Sequence, residues 1–183
     1  MKAIIFDLDG TLIDSAQSIL VSMKRAFDYC GLVPVLPLEV SLIGPPLREI
    51  LELLSPESNS VQIEKLAQTF KDYYDEQGCL ESRPFPGIDK VLHELKSQGF
   101  VLHIVTNKRA YPTLKILTYL GWSELFGCVY STDTFLVERY SKTQLLGRLK
   151  MDLNLQSKDC VYIGDREEDA IAAYENHMKF VWA

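Results

Sequence analysis

The sequence predicts a doubly wound α/β fold with a parallel sheet, interrupted after its first strand by a helical segment. The chain opens on a short apolar run, Ala3 to Phe6, that ends abruptly in an acidic turn, as buried parallel strands commonly do. Residues 15 to about 80 carry only helical spacing of apolar residues. Beyond residue 84, helical and strand-like segments alternate, and alternation of this kind builds a parallel sheet.

Three helices are predicted in the interrupting segment. Ser15 can cap the first and Gly31 can end it, and the second begins at a proline. The three are expected at Ser15 to Cys30, Pro46 to Leu54 and Ser60 to Gln77. We therefore expect two domains, an α/β core of residues 1–14 and 84–183 and a small helical domain of residues 15–83.

The rest of the chain is predicted to alternate between helix and strand. Helices are expected at residues 88–98, 110–120, 141–150 and 169–176. Strands are expected at residues 100–105, 128–130 and 160–163, before a terminal apolar stub at residues 180–183.

Composition favours a soluble globular protein and argues against two classes of partner. Of the 183 residues, 47% are hydrophobic, which allows one sizeable core. A net charge of -6 disfavours binding to nucleic acid or to anionic lipid. The apolar run before Asp7 is too short for a signal sequence or a membrane span, and the four scattered cysteines are expected to be reduced. We expect a cytoplasmic protein without nucleic-acid or membrane partners, and the sequence leaves its oligomeric state open.

Two carboxylates one residue apart follow the first strand, in the segment Asp7-Leu8-Asp9-Gly10-Thr11. Open α/β sheets bind ligands at the carboxyl ends of their strands. Beside a hard cation, one carboxylate can attack phosphorus and form an aspartyl-phosphate, while the other serves as general acid and base. The alternative is a turn with solvated acids at a helix start.

Two further strand ends carry polar residues. Thr106 and Asn107 follow an apolar strand and precede a helix, where a hydroxyl and backbone N–H groups can hold a phosphate; a plain strand-to-helix cap is equally compatible. Asp165, after the next such strand, could complete a carboxylate set for Mg²⁺, with Asp169 bracing it. An acidic first helical turn, which needs no metal, is the alternative there.

A lysine at the start of a helix could balance these acids. Ser141 and Gln144 form a capping-box pattern with Lys142 in the first turn, where a cation opposes the helix dipole. That cost is understandable if Lys142 points at Asp7 and a bound phosphate. A solvated lysine is the alternative, and Lys150 or Lys158 could take the role on sequence alone.

Together these four segments resemble the motifs of the haloacid dehalogenase (HAD) superfamily. The segments are DLDGT, the strand ending in Thr106-Asn107-Lys108, a lysine, and GDREED at residues 164–169. The match runs from Met1 to about Ala173 in the expected order. The helical insertion resembles the cap of subfamily I, so the resemblance implies a HAD-like Rossmannoid core with a lid that closes over substrate.

The resemblance also implies a Mg²⁺-dependent phosphatase acting on a small phosphorylated substrate, and a role for each motif residue. The implied catalytic residues are Asp7, Asp9 and Lys142. Those implied for substrate binding are Thr11, Thr106 and Asn107. The implied metal ligands are Asp7, Asp9 through its backbone, and Asp165, with Asp169 supporting the metal site.

Within the superfamily, three segments are similar to phosphoglycolate phosphatases and related nucleotidase-like enzymes. These are residues 43–47, 84–87 and 105–108. True dehalogenases lack the equivalent of Asp9, and β-phosphoglucomutases carry a histidine where this chain has Ile19 or its neighbours, so hydrolysis is favoured. A broad-specificity nucleotide or sugar-phosphate phosphatase, or a non-catalytic member of the fold, remains an alternative.

Two features depart from the phosphoglycolate phosphatase pattern. Lys142 is not followed by the proline common in those enzymes. Relatives usually continue beyond the equivalent of Ala183 with a further loop and helix, so we expect one edge of the core to lack its usual cover.

Arg48, Tyr74 and Arg109 are candidates for substrate contacts.

Overall fold

A five-stranded parallel sheet organises the computed structural model, which describes residues 2–135 and 140–183. The strands in chain order are β1 (Ala3–Phe6), β2 (Ile13–Asp14), β3 (Arg83–Pro84), β4 (Val101–Thr106), β5 (Phe126–Ser131), β6 (Cys160–Gly164) and β7 (Lys179–Trp182). The sheet order is β5-β4-β1-β6-β7, and every neighbouring pair in it is parallel. The predicted α/β fold class is confirmed.

Seven α-helices are described, and they fall into two units. The α/β unit comprises Met1–Asp14 and Arg83–Ala183, and the helical unit comprises Ser15–Ser82. The helical unit contains α1 (Ala16–Cys30), α2 (Leu47–Leu54) and α3 (Ser60–Glu76). The α/β unit contains α4 (Ile88–Ser97), α5 (Ala110–Tyr119), α6 (Lys142–Asp152) and α7 (Glu167–Glu175). None of the described helices is both long and apolar enough to cross a bilayer.

Apolar side chains buried on the sheet and its helices fix where the strands end. Ile5, Val105 and Tyr162 on three adjacent strands are fully buried with Leu145 and Leu149 of α6 in one cluster. Burying a side chain of this size stabilises the fold by about 1.5–3 kcal/mol. The cluster therefore holds α6 and the ends of β1, β4 and β6 in fixed register.

In the helical unit, α1 packs against α3. Met23 and Phe27 on α1 and Leu66 and Phe70 on α3 are buried, as the predicted apolar faces require. Gly31 ends α1 in the left-handed conformation, at φ 66°, which a glycine adopts without steric cost.

Several local predictions are corrected by the structure. Ser15 stands at the N-cap of α1, but its side chain makes no capping hydrogen bond with that helix. The terminal apolar stub, for which no strand was predicted, forms β7 and pairs in parallel with β6. The last helix begins at Glu167 and not at Asp169; Asp169 is its third residue, and its carboxylate accepts the Arg166 N–H at 3.1 Å.

A short antiparallel ladder was not predicted. In β2 and β3, Ile13 pairs with Pro84 and Asp14 with Arg83, at the two points where the chain leaves and re-enters the α/β unit. Two residues are too few to show the period-2 pattern by which a strand is recognised in a sequence.

Candidate active site

The predicted motif residues lie at one edge of the sheet. Strands β4, β1 and β6 are adjacent and parallel, so the residues that follow Phe6, Thr106 and Gly164 emerge side by side. The Asp7 N–H donates to the Ile163 carbonyl at 2.9 Å, which extends the sheet pattern to the first acidic residue. The strand order reverses beside β1, because β4 and β5 lie on one side of it and β6 and β7 on the other. Such switch points are where open α/β sheets bind ligands.

Lys142 joins two of the acids in a buried ion pair. Its Nζ donates to Asp7 Oδ2 at 2.9 Å and to Asp169 Oδ1 at 2.6 Å, and its side chain is 2% exposed. Among the alternatives, Lys150 donates to the Asn176 carbonyl at 3.3 Å and Lys158 is exposed. The structure therefore brings Lys142 to Asp7.

A capping box positions Lys142. Ser141 Oγ accepts the Gln144 N–H at 3.3 Å, and Gln144 Oε1 accepts the Ser141 N–H at 2.8 Å. These bonds satisfy two backbone donors at the start of α6. Lys142 is the first residue of that helix, so the start of the helix fixes the direction of the lysine.

The electrostatic balance of the pair is set by burial and by neighbouring charge. Burial raises the pKa of Asp7 to about 6, with the nearby Asp169 charge acting in the same direction and Lys142 acting against both. Burial alone would lower the pKa of Lys142, but the two carboxylates outweigh it and hold that pKa above its usual value. One lysine therefore leaves the negative charge around Asp7 incompletely balanced.

Three carboxylates converge at this point. Asp7, Asp165 and Asp169 each offer an oxygen, and the three oxygens lie within 4.8 Å of one another. Asp7 Oδ1 is buried and has no hydrogen-bond partner among the described residues. A buried carboxylate oxygen left without a donor is costly, and oxygen ligands gathered this closely suit a hard divalent cation.

Two glycines make room for the carboxylates. A Cβ at Gly10, where φ is +81°, would collide with the Asp165 carboxylate. A Cβ at Gly164 would collide with the Asp169 carboxylate. The close approach of acid to backbone therefore depends on residues without a side chain at both positions.

The side chain of Asp9 lies outside the three-carboxylate group and contacts Lys108 instead. Both Asp9 oxygens are 2.9 Å from Lys108 Nζ. Thr11 is buried, and its hydroxyl donates to Asp165 Oδ1 at 3.3 Å. When ionised, the four acids Asp7, Asp9, Asp165 and Asp169 exceed the two lysines by two charges, which a divalent cation would neutralise.

The segment after β4 is held by its neighbours. Thr106 is buried, and its Oγ1 accepts the Lys108 N–H at 3.2 Å. Asn107 donates from Nδ2 to Glu168 at 2.9 Å, and its carbonyl accepts the Thr132 hydroxyl at 3.2 Å. The turn that carries the predicted phosphate-binding residues is thus fixed by three separate contacts.

Sequence reasoning missed the contributions of two residues. The buried Tyr162 hydroxyl is 2.9 Å from the Val105 carbonyl and 3.2 Å from Asp169 Oδ1; burial, with the charges of Asp7 and Asp169, raises its pKa well above the usual value. Nothing in the sequence marks this tyrosine. The position of Lys108 directly after Thr106 and Asn107 was a possible signal, but it was not used because most lysines at strand ends are solvated.

The candidate substrate contacts in the helical unit have structural partners there. Arg48 pairs with Glu52 at 2.9 Å and with Glu64 at 3.3 Å. The Tyr74 ring stacks on Phe70, with centroids 5.2 Å apart.

Comparison with known proteins gives one consistent family. The model of haloacid dehalogenase-like hydrolases matches residues 4–183. A phosphoglycolate phosphatase of Aquifex aeolicus (strain VF5) is 34% identical over 170 residues, which cover 92% of this chain and 78% of that protein.

Solved structures agree on the fold. The crystal structure of a protein described as a predicted phosphoglycolate phosphatase, from Haemophilus somnus 129PT, superposes with a TM-score of 0.87 at 26% identity and covers all of this chain and 84% of that one. Protein tyrosine kinase A of Mycobacterium tuberculosis superposes with a TM-score of 0.83 at 28% identity, over 99% of this chain and 82% of that one.

Proposed function

This chain belongs to the haloacid dehalogenase-like hydrolases and is a phosphatase enzyme, and from this premise we propose a Mg²⁺-dependent phosphate-monoester hydrolase that acts through an aspartyl-phosphate. The proposed nucleophile is Asp7. The proposed substrate is phosphoglycolate or a similar small phosphorylated metabolite.

The observation that carries the proposal is the environment of the Asp7 carboxylate. Lys142 holds Oδ2 at 2.9 Å, while Oδ1 is buried without a hydrogen-bond partner in the described chain. A nucleophile must keep one oxygen available and be unable to rotate away from its target. Asp7 meets both conditions at the carboxyl end of β1.

The acids around Asp7 fit Mg²⁺. Asp7 and Asp165 would supply side-chain ligands, Asp9 a backbone oxygen, and Asp169 would support the site while bonded to Lys142. When bound, Mg²⁺ supplies charge neutralisation to the phosphoryl oxygens and to the crowded carboxylates.

The proposed reaction has two steps. First, Asp7 Oδ1 attacks phosphorus, and the bond from phosphorus to the ester oxygen breaks as that oxygen takes a proton from Asp9. Second, Asp9 removes a proton from a water molecule that attacks phosphorus, and the bond between Asp7 and phosphorus breaks to release inorganic phosphate. Asp9 thus serves first as acid and then as base.

The remaining residues have supporting roles in the proposal. The Thr106 hydroxyl and the Asn107 amide would donate hydrogen bonds to the phosphoryl oxygens, and Thr11 would help to shape that end of the site through Asp165. We further propose that residues 15–83 form the specificity-determining cap and that residues 1–14 and 84–183 form the catalytic core. Exchanging residues 15–83 for the matching segment of a relative should then transfer substrate preference.

The test is phosphate release from phosphoglycolate, nucleoside monophosphates and sugar phosphates, with and without Mg²⁺. Asp7→Asn should abolish release, whereas the exposed Asp28→Asn, which removes a charge from α1, should leave it unchanged. A strong preference for phosphoglycolate supports the narrow substrate, and similar rates on all esters indicate a broad-specificity phosphatase. Release from no ester by a folded chain would indicate a non-catalytic member of the family and refute the proposal.

A further inference from the structure

Lys108 is an almost fully buried lysine that contacts Asp9. Its side chain is 5% exposed, and its Nζ lies 2.9 Å from each Asp9 oxygen. The two residues are 99 positions apart in the chain, so the fold itself brings them together. A lysine is seldom removed from water unless its charge is matched, and here the matching charge belongs to Asp9.

The contact fixes the orientation of the Asp9 carboxylate. Because the ammonium group contacts both oxygens at the same distance, movement of the carboxylate away from Lys108 would weaken two hydrogen bonds at once. Charge-assisted hydrogen bonds of this length are among the stronger ones in proteins. Asp9 is 19% exposed, so its carboxylate can reach a ligand without losing this support.

The lysine is itself held at its backbone. The Lys108 N–H donates to Thr106 Oγ1 at 3.2 Å, and the carbonyl of the intervening Asn107 accepts the Thr132 hydroxyl. The turn that carries the ammonium is therefore tied to β4 and to the segment after β5. Because Lys108 holds the Asp9 carboxylate, that carboxylate has a defined position relative to Thr106.

We propose that Lys108 is a positioning residue, which holds the Asp9 carboxylate in place for proton transfer to the leaving group and balances the negative charge that Asp9 acquires as its proton departs. This inference rests on the proposed function. In this role Lys108 assists the departure of the alcohol and does not bind the phosphate, although Lys108 lies in the same turn as Thr106.

The assignment predicts a dependence on the leaving group. An alkoxide is a poor leaving group, so an alkyl phosphate depends on a well-placed general acid, whose contribution is about 10²–10⁴-fold. The p-nitrophenolate ion leaves readily without a proton. Displacing Asp9 should therefore slow alkyl esters selectively, whereas a phosphate-binding or purely structural role of Lys108 would affect both kinds of ester alike.

The experiment compares kcat/KM of the wild-type chain and Lys108→Met for ethyl phosphate and p-nitrophenyl phosphate in saturating Mg²⁺. This parameter covers binding and departure of the alcohol and leaves out the later hydrolysis of the phosphoenzyme, which both esters share. The ratio of the two values for one protein sample does not depend on the fraction that is folded. A matched control is Lys90→Met, since Lys90 is 81% exposed on α4.

We expect Lys108→Met to lower the ratio of kcat/KM for ethyl phosphate to kcat/KM for p-nitrophenyl phosphate at least about tenfold. Lys90→Met should leave this ratio unchanged. An equal loss on both esters, including complete loss, would overturn the inference while leaving the phosphatase proposal intact, and so would an unchanged ratio. A wild-type chain inactive on both esters would overturn the proposed function itself.

Discussion

The Tyr162 hydroxyl lies 3.2 Å from Asp169 Oδ1, the same oxygen that accepts from Lys142 at 2.6 Å. The tyrosine stands on β6 and is fully buried. It thus connects the centre of the sheet to the ion pair of Lys142, although no motif includes it.

Tyr162→Phe removes this hydroxyl and leaves the ring in place. A buried hydrogen bond contributes about 1 kcal/mol net, so the free energy of unfolding should fall by about that amount, measured by urea denaturation. Tyr119→Phe is the control, because Tyr119 is 64% exposed. A Tyr162→Phe protein as stable as the wild type would show that the hydroxyl stabilises neither Val105 nor Asp169.

Lys142→Met should be far more damaging. The substitution leaves Asp7 and Asp169 buried without their shared cation, and removing one partner of a buried ion pair typically costs about 3–5 kcal/mol. Denaturation without Mg²⁺ should show a loss in that range, together with loss of phosphatase activity. Lys150→Met, on the same helix and half-buried, serves as the comparison; equal losses for the two variants would contradict a special role for Lys142.

The sequence allowed the fold class to be predicted because its signals are local. The apolar run before Asp7 and the helix–strand alternation after residue 84 each extend over enough residues to show a period. The capping box at Ser141 also formed as predicted. The prediction that the Ser15 side chain caps α1 was wrong, because a serine at this position can accept a capping hydrogen bond but need not do so.

The contacts within the site could not be predicted in the same way. The capping-box pattern favoured Lys142, but the sequence left Lys150 and Lys158 as alternatives, since the distance to Asp7 is set by packing between residues 135 positions apart. The same holds for the pairing of Lys108 with Asp9 and for Tyr162. Motif residues indicate which groups are available, whereas the sheet order decides which of them meet.

Gly10→Ala should disrupt the carboxylate site through a collision with Asp165. Gly121→Ala is a closely matched control: φ is +81° at Gly10 and +73° at Gly121, so the backbone strain is similar, but a Cβ at Gly121 meets nothing within 4 Å. Calorimetric titration should show weakened or absent Mg²⁺ binding for Gly10→Ala alone. Equal Mg²⁺ affinity in the two variants would mean that the space at Gly10 is not needed by the metal site.

His103, on β4, should make stability depend on pH. The side chain is 3% exposed and its Nδ1 has no hydrogen-bond partner among the described residues; burial lowers its pKa from 6.5, and the Lys96 charge acts in the same direction. Below pH 6.5 the unfolded chain therefore binds a proton that the folded chain resists, so this contribution to stability is lost as the pH falls toward the folded-state pKa.

The measurement is the free energy of unfolding from urea titrations between pH 7.5 and 5.5, for the wild type and His103→Gln. Asp7, whose pKa is raised to about 6, titrates in the same range with the opposite sign, because its folded form binds the extra proton. Subtracting the variant from the wild type removes that contribution and isolates His103. The free energy of unfolding of the wild type should fall relative to that of His103→Gln as the pH falls. A constant difference between the two proteins would show that the buried ring accepts a proton as readily as it does in the unfolded chain.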